Sequence, residues 1–426
     1  MRKRLKPVKM LSSSSTLLTT IKLLLIRSWW LMKKLSLICL SFFISQTAHA
    51  SGLYFYEIGT EDTALAGAGQ AARAQDASTI VTNPAGMTRL PDHMFTGGIQ
   101  AMDGDISYTL DNESGRQSPG DIMSFFPNAS AFYTQKLNDD LYAGIGLYGN
   151  FGLGTDYGNW AGDRLIKKST MVAMTLSPSI AYKLNDRLSI GGSVNVNYGL
   201  LSLTRNVNNN DETEKDHDWA TSYRLGLLMA LTDQTRAGIT WTSKTEYDFN
   251  IDGTARFPNL PNTEYDLPIS AQVRTPQQIM LSLVHDLNQQ WSVMGDLGWQ
   301  DWSQFGSPQI RVAGQDIDKQ NRLKDSWHAA LGMQYRPTEQ WRLNAGVAFD
   351  STIYESQSDV AMTLPTGDEW RFATGAQYQV TPQSNVGFAV SYLHMQSSKV
   401  QTPEQLKGRF DNPYLWFASV NYSYTF

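Results

Sequence analysis

The chain has 426 residues, with 35 Lys and Arg against 40 Asp and Glu and a formal net charge of −5. Only 18% of residues are charged while 11% are aromatic, which excludes a disordered chain and a charged cytosolic helix bundle. Nine basic residues and no acid fall within positions 1–50, which leaves 26 basic against 40 acidic side chains and a net charge of −14 on the rest. An acidic body of that kind repels phosphate backbones, so no nucleic-acid partner is expected.

Residues 1–50 form a segment apart, without a single glycine. Lys33 and Lys34 follow Met32, an apolar run covers Leu35 to Ile44, and Ala48-His49-Ala50 closes the pattern. These are the charged, apolar and small-residue parts of a secretory signal, with cleavage expected between Ala50 and Ser51. The apolar run is far short of the ~20 residues a membrane-spanning helix needs. Met32 reads as the true start, with residues 1–31 set by an upstream start codon; a long charged leader is the other reading. The only cysteine, Cys39, lies inside the signal and follows Ile38, where a lipoprotein signal needs a small residue. The mature chain therefore has neither disulfides nor thiolate metal sites.

Residues 51–92 are rich in Ala and Gly. A short helix is expected over Thr63 to Ala77, followed by a turn at Asn83-Pro84-Ala85-Gly86. Gly67-Ala68-Gly69-Gln70-Ala71-Ala72 fits the dinucleotide pattern G-x-G-x-x-A, but no βαβ unit follows, so tight packing of a short helix is the better reading. Ahead of a barrel, such a segment reads as a plug folded into the lumen.

From His93 onward the pattern is that of strands. Val172, Met174, Leu176, Pro178, Ile180, Tyr182 and Leu184 alternate with Ala173, Thr175, Ser177, Ser179, Ala181 and Lys183, and the next segment and the chain end repeat the alternation. Pro178 has no N–H to donate, which predicts a bulge or a local break in the ladder. Six short turns recur at near-regular intervals: Asn138-Asp139-Asp140, Asn185-Asp186, Thr232-Asp233-Gln234, Asn288-Gln289-Gln290, Pro337-Thr338-Glu339 and Thr381-Pro382-Gln383. Seven longer polar connections separate them, about residues 105–120, 152–168, 205–218, 250–268, 306–321, 354–369 and 398–413. Seven loops and six turns require fourteen strands. Short turns at one end and long loops at the other define an antiparallel barrel of the bacterial outer membrane. The expected fold is thus all-β, a 14-stranded transmembrane barrel over residues 93–426, plugged by residues 51–92. Trp241, Trp291, Trp299, Trp302, Trp327, Trp341, Trp370 and Trp416 suit girdles at the two bilayer interfaces; filling a soluble core is their other reading.

At this point the residues resemble a known family. Ala66-Gly67, Asp76-Ala77-Ser78-Thr79 and Asn83-Pro84-Ala85-Gly86-Met87 are similar to the N-terminal hatch of the FadL/TodX family of outer-membrane transporters. Phe151-Gly152-Leu153 with Thr155, Tyr157, Trp160, Gly162 and Arg164 resembles that family's third strand and following loop. Ser177 to Asp186 resembles its fourth strand and turn, and Trp302-Ser303-Gln304-Phe305 a later strand. The resemblance implies uptake of hydrophobic compounds, long-chain fatty acids first and aromatic hydrocarbons as the alternative. It implies an apolar lumenal pocket, passive diffusion, and lateral exit at a kink in the third strand, with movement of the mature N-terminus aiding release. Carried onto this chain, the hatch motif is Asn83, Pro84, Ala85 and Gly86, and the lateral-gate residues are Gly149, Asn150, Phe151 and Gly152. Leu53, Tyr54, Phe55, Leu153 and Arg164 are candidate pocket residues.

Two of these assignments have plainer readings. The glycines of the third strand ease barrel curvature as readily as they permit a kink, and Arg164, Lys167 and Lys168 are solvated loop charges as readily as partners for a carboxylate. The acidic segment Asn208 to Asp218 could hold Ca²⁺, or be a solvated loop. Histidines are scattered singly and no G-x-S-x-G elbow exists, so no enzyme, cofactor or metal is expected. An open general porin and an outer-membrane enzyme are the competing classes. Expected partners are the hydrophobic cargo, lipopolysaccharide and outer-membrane lipid around a monomer.

Overall fold

The computed structural model describes residues 56–111, 117–164, 166–207, 209–255, 265–305, 310–312, 315–317, 323–358, 360–362, 364–401 and 407–426. The expected signal segment lies outside them, as do Leu53, Tyr54 and Phe55.

Fourteen strands close into one barrel: β1 (His93–Asp105), β2 (Phe126–Lys136), β3 (Leu141–Asp156), β4 (Lys168–Asn185), β5 (Leu188–Val207), β6 (Asn210–Ala230), β7 (Thr235–Thr242), β8 (Gln278–Asp286), β9 (Trp291–Gln300), β10 (Ser326–Tyr335), β11 (Trp341–Asp350), β12 (Glu369–Gln379), β13 (Ser384–Met395) and β14 (Tyr414–Thr425). Each pairs antiparallel with its sequence neighbours. β1 and β14 join from Met94↔Thr425 to Asp105↔Tyr414, so the sheet has no free edge. Closure pairs each wall strand with a neighbour on both sides, the condition for spanning a bilayer.

The alternation has the opposite sign to that of a soluble protein. On β4, Met174, Leu176, Ile180, Tyr182 and Leu184 are exposed while Ala173, Thr175, Ser177, Ser179 and Ala181 are buried. Ile145, Leu147, Leu225, Ile239, Leu281, Leu283, Leu331 and Phe388 continue this apolar outer band around the barrel. An exposed apolar surface of that continuity is stable against lipid, not water. The soluble-sandwich reading of the alternation therefore fails.

Most of the tryptophans suit interfacial girdles. Trp327, Trp370 and Trp416 are exposed at the loop end, and Trp341, also exposed, stands at the turn end beside Tyr378. Trp302 is a correction. It is fully buried in a 3₁₀ turn (Trp302–Gln304), with its indole N–H donated to Gln300 Oε1 at 2.7 Å. A buried Trp needs a hydrogen-bond partner for its N–H, and Gln300 supplies one.

Pro178 interrupts a ladder as its missing N–H requires. The β4–β5 pairing stops at Leu176↔Val196 and resumes in the same register at Ser179↔Ser193. The connection expected near residues 205–218 is not a loop. β5 and β6 stay paired out to Val207↔Asn210, a ribbon rising beyond the wall. Its polar composition reflects one solvated face and one covered by the polar edge of the Thr245–Ala255 strand, with cross-strand partners such as Arg205–Glu214 at 2.8 Å and Thr204–Thr213 at 2.9 Å. The acidic segment thereby becomes strand, and its carboxylates are committed. Asp211 pairs with Lys167, while Asp216 and Asp218 accept backbone N–H groups of Asn250 and Asp248.

At the loop end two small sheets cap the barrel: Thr245–Ala255 and Tyr265–Thr275 with Ile310–Val312 and Gln315–Ile317, and Ser107–Leu110 and Gly120–Asp121 with Ser398–Gln401 and Lys407–Phe410. Beneath them lies the largest apolar cluster of the molecule, which includes Tyr108, Tyr157, Trp160, Tyr354, Phe410 and Phe417.

Candidate functional site: a seated hatch and an opening in the wall

Residues 56–92 fill the lumen. They form three single-turn helices, α1 (Thr60–Ala64), α2 (Gln70–Arg73) and α3 (Thr79–Thr82), and a 3₁₀ turn (Pro84–Arg89). The one helix expected over Thr63 to Ala77 is broken because Ala66, Gly67, Gly69 and Ala74 all have positive φ, between 48° and 85°. Glycine adopts that conformation without penalty, so Gly67 and Gly69 let the chain turn back on itself inside the barrel.

The wall is shaped to receive this backbone. Gly238 on β7 lies so close to the Ala71 carbonyl that a Cβ would overlap it; Gly346 on β11 abuts the Leu65 backbone, and Gly191 on β5 abuts Ala85. Polar inward side chains complete the seat. Asp296 of β9 accepts the N–H groups of Gly69 (2.8 Å) and Gln70 (3.2 Å), and Ser282 of β8 accepts that of Ala71 (2.9 Å). These donors have no helical partner at the start of α2, so the wall performs the capping.

The motif residues make the clamp of the hatch. Asn83 Oδ1 accepts the Ala85 N–H at 3.0 Å, while its Nδ2 donates to Ala71 O at 2.6 Å and to Leu227 O of β6 at 3.1 Å. One amide thus ties the turn, α2 and the wall together. Pro84 starts the 3₁₀ turn, where a missing N–H costs nothing. Gly86 packs where a Cβ would strike Thr79 and Ala74.

Buried charges anchor the first hatch residues. Arg371 of β12 donates to Glu57 (3.0 Å) and Glu369 (3.0 Å) and lies 3.3 Å from Asp350, which also holds His328 at 2.8 Å. Tyr56 stacks on His328 with ring centroids 4.2 Å apart, and the Arg371 guanidinium lies over the Tyr56 ring. Deeper in the hatch, Arg73 pairs with Asp62 and Glu61, and Arg342 with Glu61. Burial pushes the Asp62 carboxyl up to about 6 against the pull of Arg73.

On the other side of the lumen the wall opens. The β2–β3 ladder runs from Lys136↔Tyr142 to Ser130↔Tyr148 and stops there. The two segments meet again only at the isolated bridge Met123↔Thr155. Between these closures Asn150 is an extra residue, shifting the β3–β4 register between Gly149 and Phe151, a bulge of the kind that bends a strand. A cavity of ≈ 890 Å³ occupies the gap. Its inner lining includes Gln100, Asn128 and Ala173, and its outer lining includes the lipid-facing Ile99, Phe125, Met174 and Val420. The cavity therefore crosses the wall.

One side chain spans the lapse in the ladder. Asn128 Nδ2 donates to the Gly149 carbonyl at 3.2 Å and lies 3.3 Å from Gln100 Oε1. Gln100 in turn donates to the hatch carbonyl of Ile58 at 2.6 Å. Gly149 has to be small, because a Cβ there would stand 2.8 Å from Asn128 Oδ1.

Of the residues singled out from sequence, the structure brings Gly149, Asn150, Phe151 and Gly152 together at this gap; of these, the Asn150 and Phe151 side chains lie outside the description, as does that of Leu153. Arg164 is exposed in the following loop, while Lys167 and Lys168 pair with Asp211 and Asp156. Two lumenal guanidiniums were not singled out from sequence: Arg371 at the charged anchor, and Arg224, fully buried on β6, donating Nε to Thr242 Oγ1 at 3.0 Å and Nη1 to Tyr148 Oη at 3.3 Å. The signal of Arg224 was present, since it alternates with the outward Tyr223 and Leu225. The remaining space beside it, shared with Tyr56, Ile58 and Gln278, is ≈ 20 Å³, about one water molecule.

A closed barrel with an apolar outer band, a plugged lumen and a breach in its wall defines a membrane channel that is shut to bulk water along its axis. Comparisons narrow the class. Residues 41–426 match the family model described as outer membrane protein transport protein (OMPP1/FadL/TodX), and the chain belongs to that family. The chain is 24% identical to the long-chain fatty acid transport protein of Escherichia coli K12, over 90% of this chain and 96% of that protein. It is 25% identical to outer membrane protein P1 of Haemophilus influenzae, over 81% and 86%. Among solved structures it resembles a Pseudomonas aeruginosa FadL homologue, with a TM-score of 0.76 and 19% identity over 89% of this chain and 99% of that one. It also resembles the Ralstonia pickettii toluene transporter TbuX, with a TM-score of 0.66 and 18% identity over 86% and 98%. The protein resides in the bacterial outer membrane, with its short turns facing the periplasm and its long loops outside.

Proposed function

We propose that the protein takes up hydrophobic compounds, long-chain fatty acids first, by passive diffusion, and releases them sideways into the membrane through the gap between β2 and β3. The carrying observation is the wall-crossing cavity, polar at its inner edge and apolar on its lipid face, above a lumen that the hatch closes. Burial gains about 0.8 kcal/mol per CH₂. A fatty acid moving from an apolar interior into lipid keeps that gain, whereas one sent through the hatch into the periplasm forfeits it. The family, and the fatty-acid transporters among its curated relatives, support this cargo; the toluene transporters of the same fold make aromatic hydrocarbons the second reading.

In this scheme the apolar cluster beneath the loop caps collects the cargo. Leu53, Tyr54, Phe55 and Leu153, whose side chains lie outside the described ones, keep their proposed part as pocket residues, and Arg224, rather than the exposed Arg164, receives the carboxylate. Passage past Arg224 requires Tyr56 and Ile58 to move, since the space there holds only one water molecule. The hatch motif at Asn83–Gly86 keeps its seat meanwhile. The protein works as a monomer surrounded by lipopolysaccharide and lipid, carries out no chemical reaction and uses no cofactor.

The test is a cross-link across the gap. The mature chain has no cysteine, so N128C/G149C forms a unique pair. Uptake of labelled palmitate by cells carrying the oxidised variant should drop to background and recover on reduction, with toluene as competitor to rank the cargo classes. Undiminished uptake in the oxidised variant would remove the lateral route. Conductance of simple salts through wild-type protein in planar bilayers would favour an open porin instead.

A further inference from the structure

At the periplasmic mouth, where hatch and wall meet, lies a second cavity of ≈ 670 Å³ that the transport route does not use. Five arginines line it: Arg73 and Arg89 from the hatch, and Arg236, Arg336 and Arg342 from the strand ends of the wall. Three carboxylates offset them. Asp286 pairs with Arg236, Glu61 with Arg342 and Arg73, and Asp62 with Arg73. Among the described residues Arg89 makes no side-chain hydrogen bond or ion pair, and the Arg336 side chain donates only to Ser292 Oγ at 3.1 Å. Neither makes an ion pair of its own among these residues, and although Asp286 acts on both, five guanidiniums face three carboxylates in one concave site. Partial burial, and then the like charge of Arg342, hold Arg336 below the ordinary guanidinium range. Crowding of like charges in a recess is destabilising unless an anion relieves it.

We propose that this vestibule binds a phosphate dianion, free or as the monoester headgroup of a lipid, and that the bound group pins the hatch to the barrel rim. A phosphate monoester carries −1.5 to −2 charges near pH 7, matching the two unpaired guanidiniums, whereas a carboxylate supplies one. Guanidinium forks engage phosphate oxygens in pairs. Gln75, Gln234 and Asn288 at the same mouth supply amide donors for the remaining oxygens. Because the cavity is lined by Arg73 and Arg89 of the hatch and by Arg236, Arg336 and Arg342 of the wall, a ligand held there would touch both.

The experiment titrates purified protein in detergent at low ionic strength with inorganic phosphate, and separately with dihexanoyl phosphatidic acid, by calorimetry. Saturable one-to-one binding of inorganic phosphate, weakened at least tenfold in both R89Q and R336Q and unchanged in K183Q, supports a free anion as ligand. Saturable binding of the lipid alone with the same variant pattern supports a headgroup. Saturation by neither probe, or binding that survives in the R89Q/R336Q double variant, overturns the proposal. Arg89 makes no contact that the fold depends on, and R89Q should retain wild-type near-UV circular dichroism. Loss of binding there reads on the site and not on folding. Phosphate should also slow thermolysin cleavage of the hatch before Ile80 and Val81 in wild-type protein, an effect that R89Q abolishes.

Discussion

Strand β3 changes character along its length. At its periplasmic half, Gly144 and Gly146 face Ile80 and Met87 of the hatch and β2 pairs with it continuously; at its outer half, Gly149 faces only the Asn128 amide and the pairing with β2 lapses. Across the lumen, β7 and β11 keep full ladders on both sides while their glycines admit the hatch backbone. Glycine does two jobs in one wall. Where the ladder is intact, it makes room for a plug without weakening the barrel. Where a bulge interrupts the ladder, it leaves a breach held by a side chain. On the proposed route, rigidity under the hatch and weakness beside it together would direct an apolar molecule outward.

The largest effect should come from filling the seat. In G238L or G346L a side chain would occupy the space of the Ala71 carbonyl or the Leu65 backbone. Overpacking costs about 1–3 kcal/mol, and displacing the hatch relieves it, since inward positions of the wall otherwise tolerate side chains. Both variants should fold as barrels yet conduct ions in planar bilayers, where wild-type protein stays silent. A folded, silent variant with a protease-protected hatch would show that the glycines are not what seats it.

Next in size is the charged anchor. In R371Q, Glu57, Asp350 and Glu369 lose their common counter-charge inside the lumen. Stranding buried charge costs about 3–5 kcal/mol, part of which the local release of Tyr56 and Glu57 recovers. Thermolysin cleavage before Ile58 should accelerate by at least tenfold while cleavage before Ile80 and Val81, beside Asn83, stays slow. Equal acceleration at both places would mean that the hatch unseats as one body and that the wall glycines do not hold it independently.

The barrel was legible because its signal is periodic. Alternation, recurring turns and the strand count depend on local spacing, and each repeats many times over. The hatch was legible as a segment, but not its three short helices, since positive φ at Ala66 and Ala74 is imposed by the seat and has no signature in alanine. The ribbon of β5 and β6 read as a loop because its inner face bonds through carboxylates to a neighbouring strand, which erases the apolar half of the alternation. Of the site, the β3 bulge left a trace in the glycines of 149–154, whereas Gln100 and Asn128 did not stand out. They become a latch only through pairing between β1, β2 and β3, which sequence spacing does not reveal. Arg224 could have been found by its inward parity on β6.

A smaller effect isolates the latch. N128A removes the two hydrogen bonds that the amide donates, to Gly149 O and Gln100 Oε1, each worth about 1 kcal/mol net, or together roughly thirtyfold in an opening equilibrium. Palmitate uptake should rise by no more than that factor, with the bilayer still silent and the hatch still protected. A rise in ion conductance instead would mean that the Gln100 contact to Ile58 transmits the change to the hatch, and that the two halves of β3 are not independent.

The smallest effect is a pH dependence at the outer rim. Asp368 stands in the loop before β12, where burial raises its carboxyl to about 7 despite the nearby Lys324. In the unfolded chain the group titrates at about 4. Between those values the folded loop binds more protons than the unfolded one, so the contribution of Asp368 to stability is complete below about pH 4 and is lost as pH rises through 7. The loop at 351–368 should therefore resist proteolysis better at pH 5 than at pH 8, and D368N should flatten that profile at its low-pH level. Because Asp368 is half-exposed, solvent screening keeps the change modest. Lateral release should be indifferent to it, since Asp368 does not line the gap between β2 and β3. A parallel pH dependence of palmitate uptake, abolished by D368N, would instead tie the outer cap to the breach and make capture, rather than exit, the slow step.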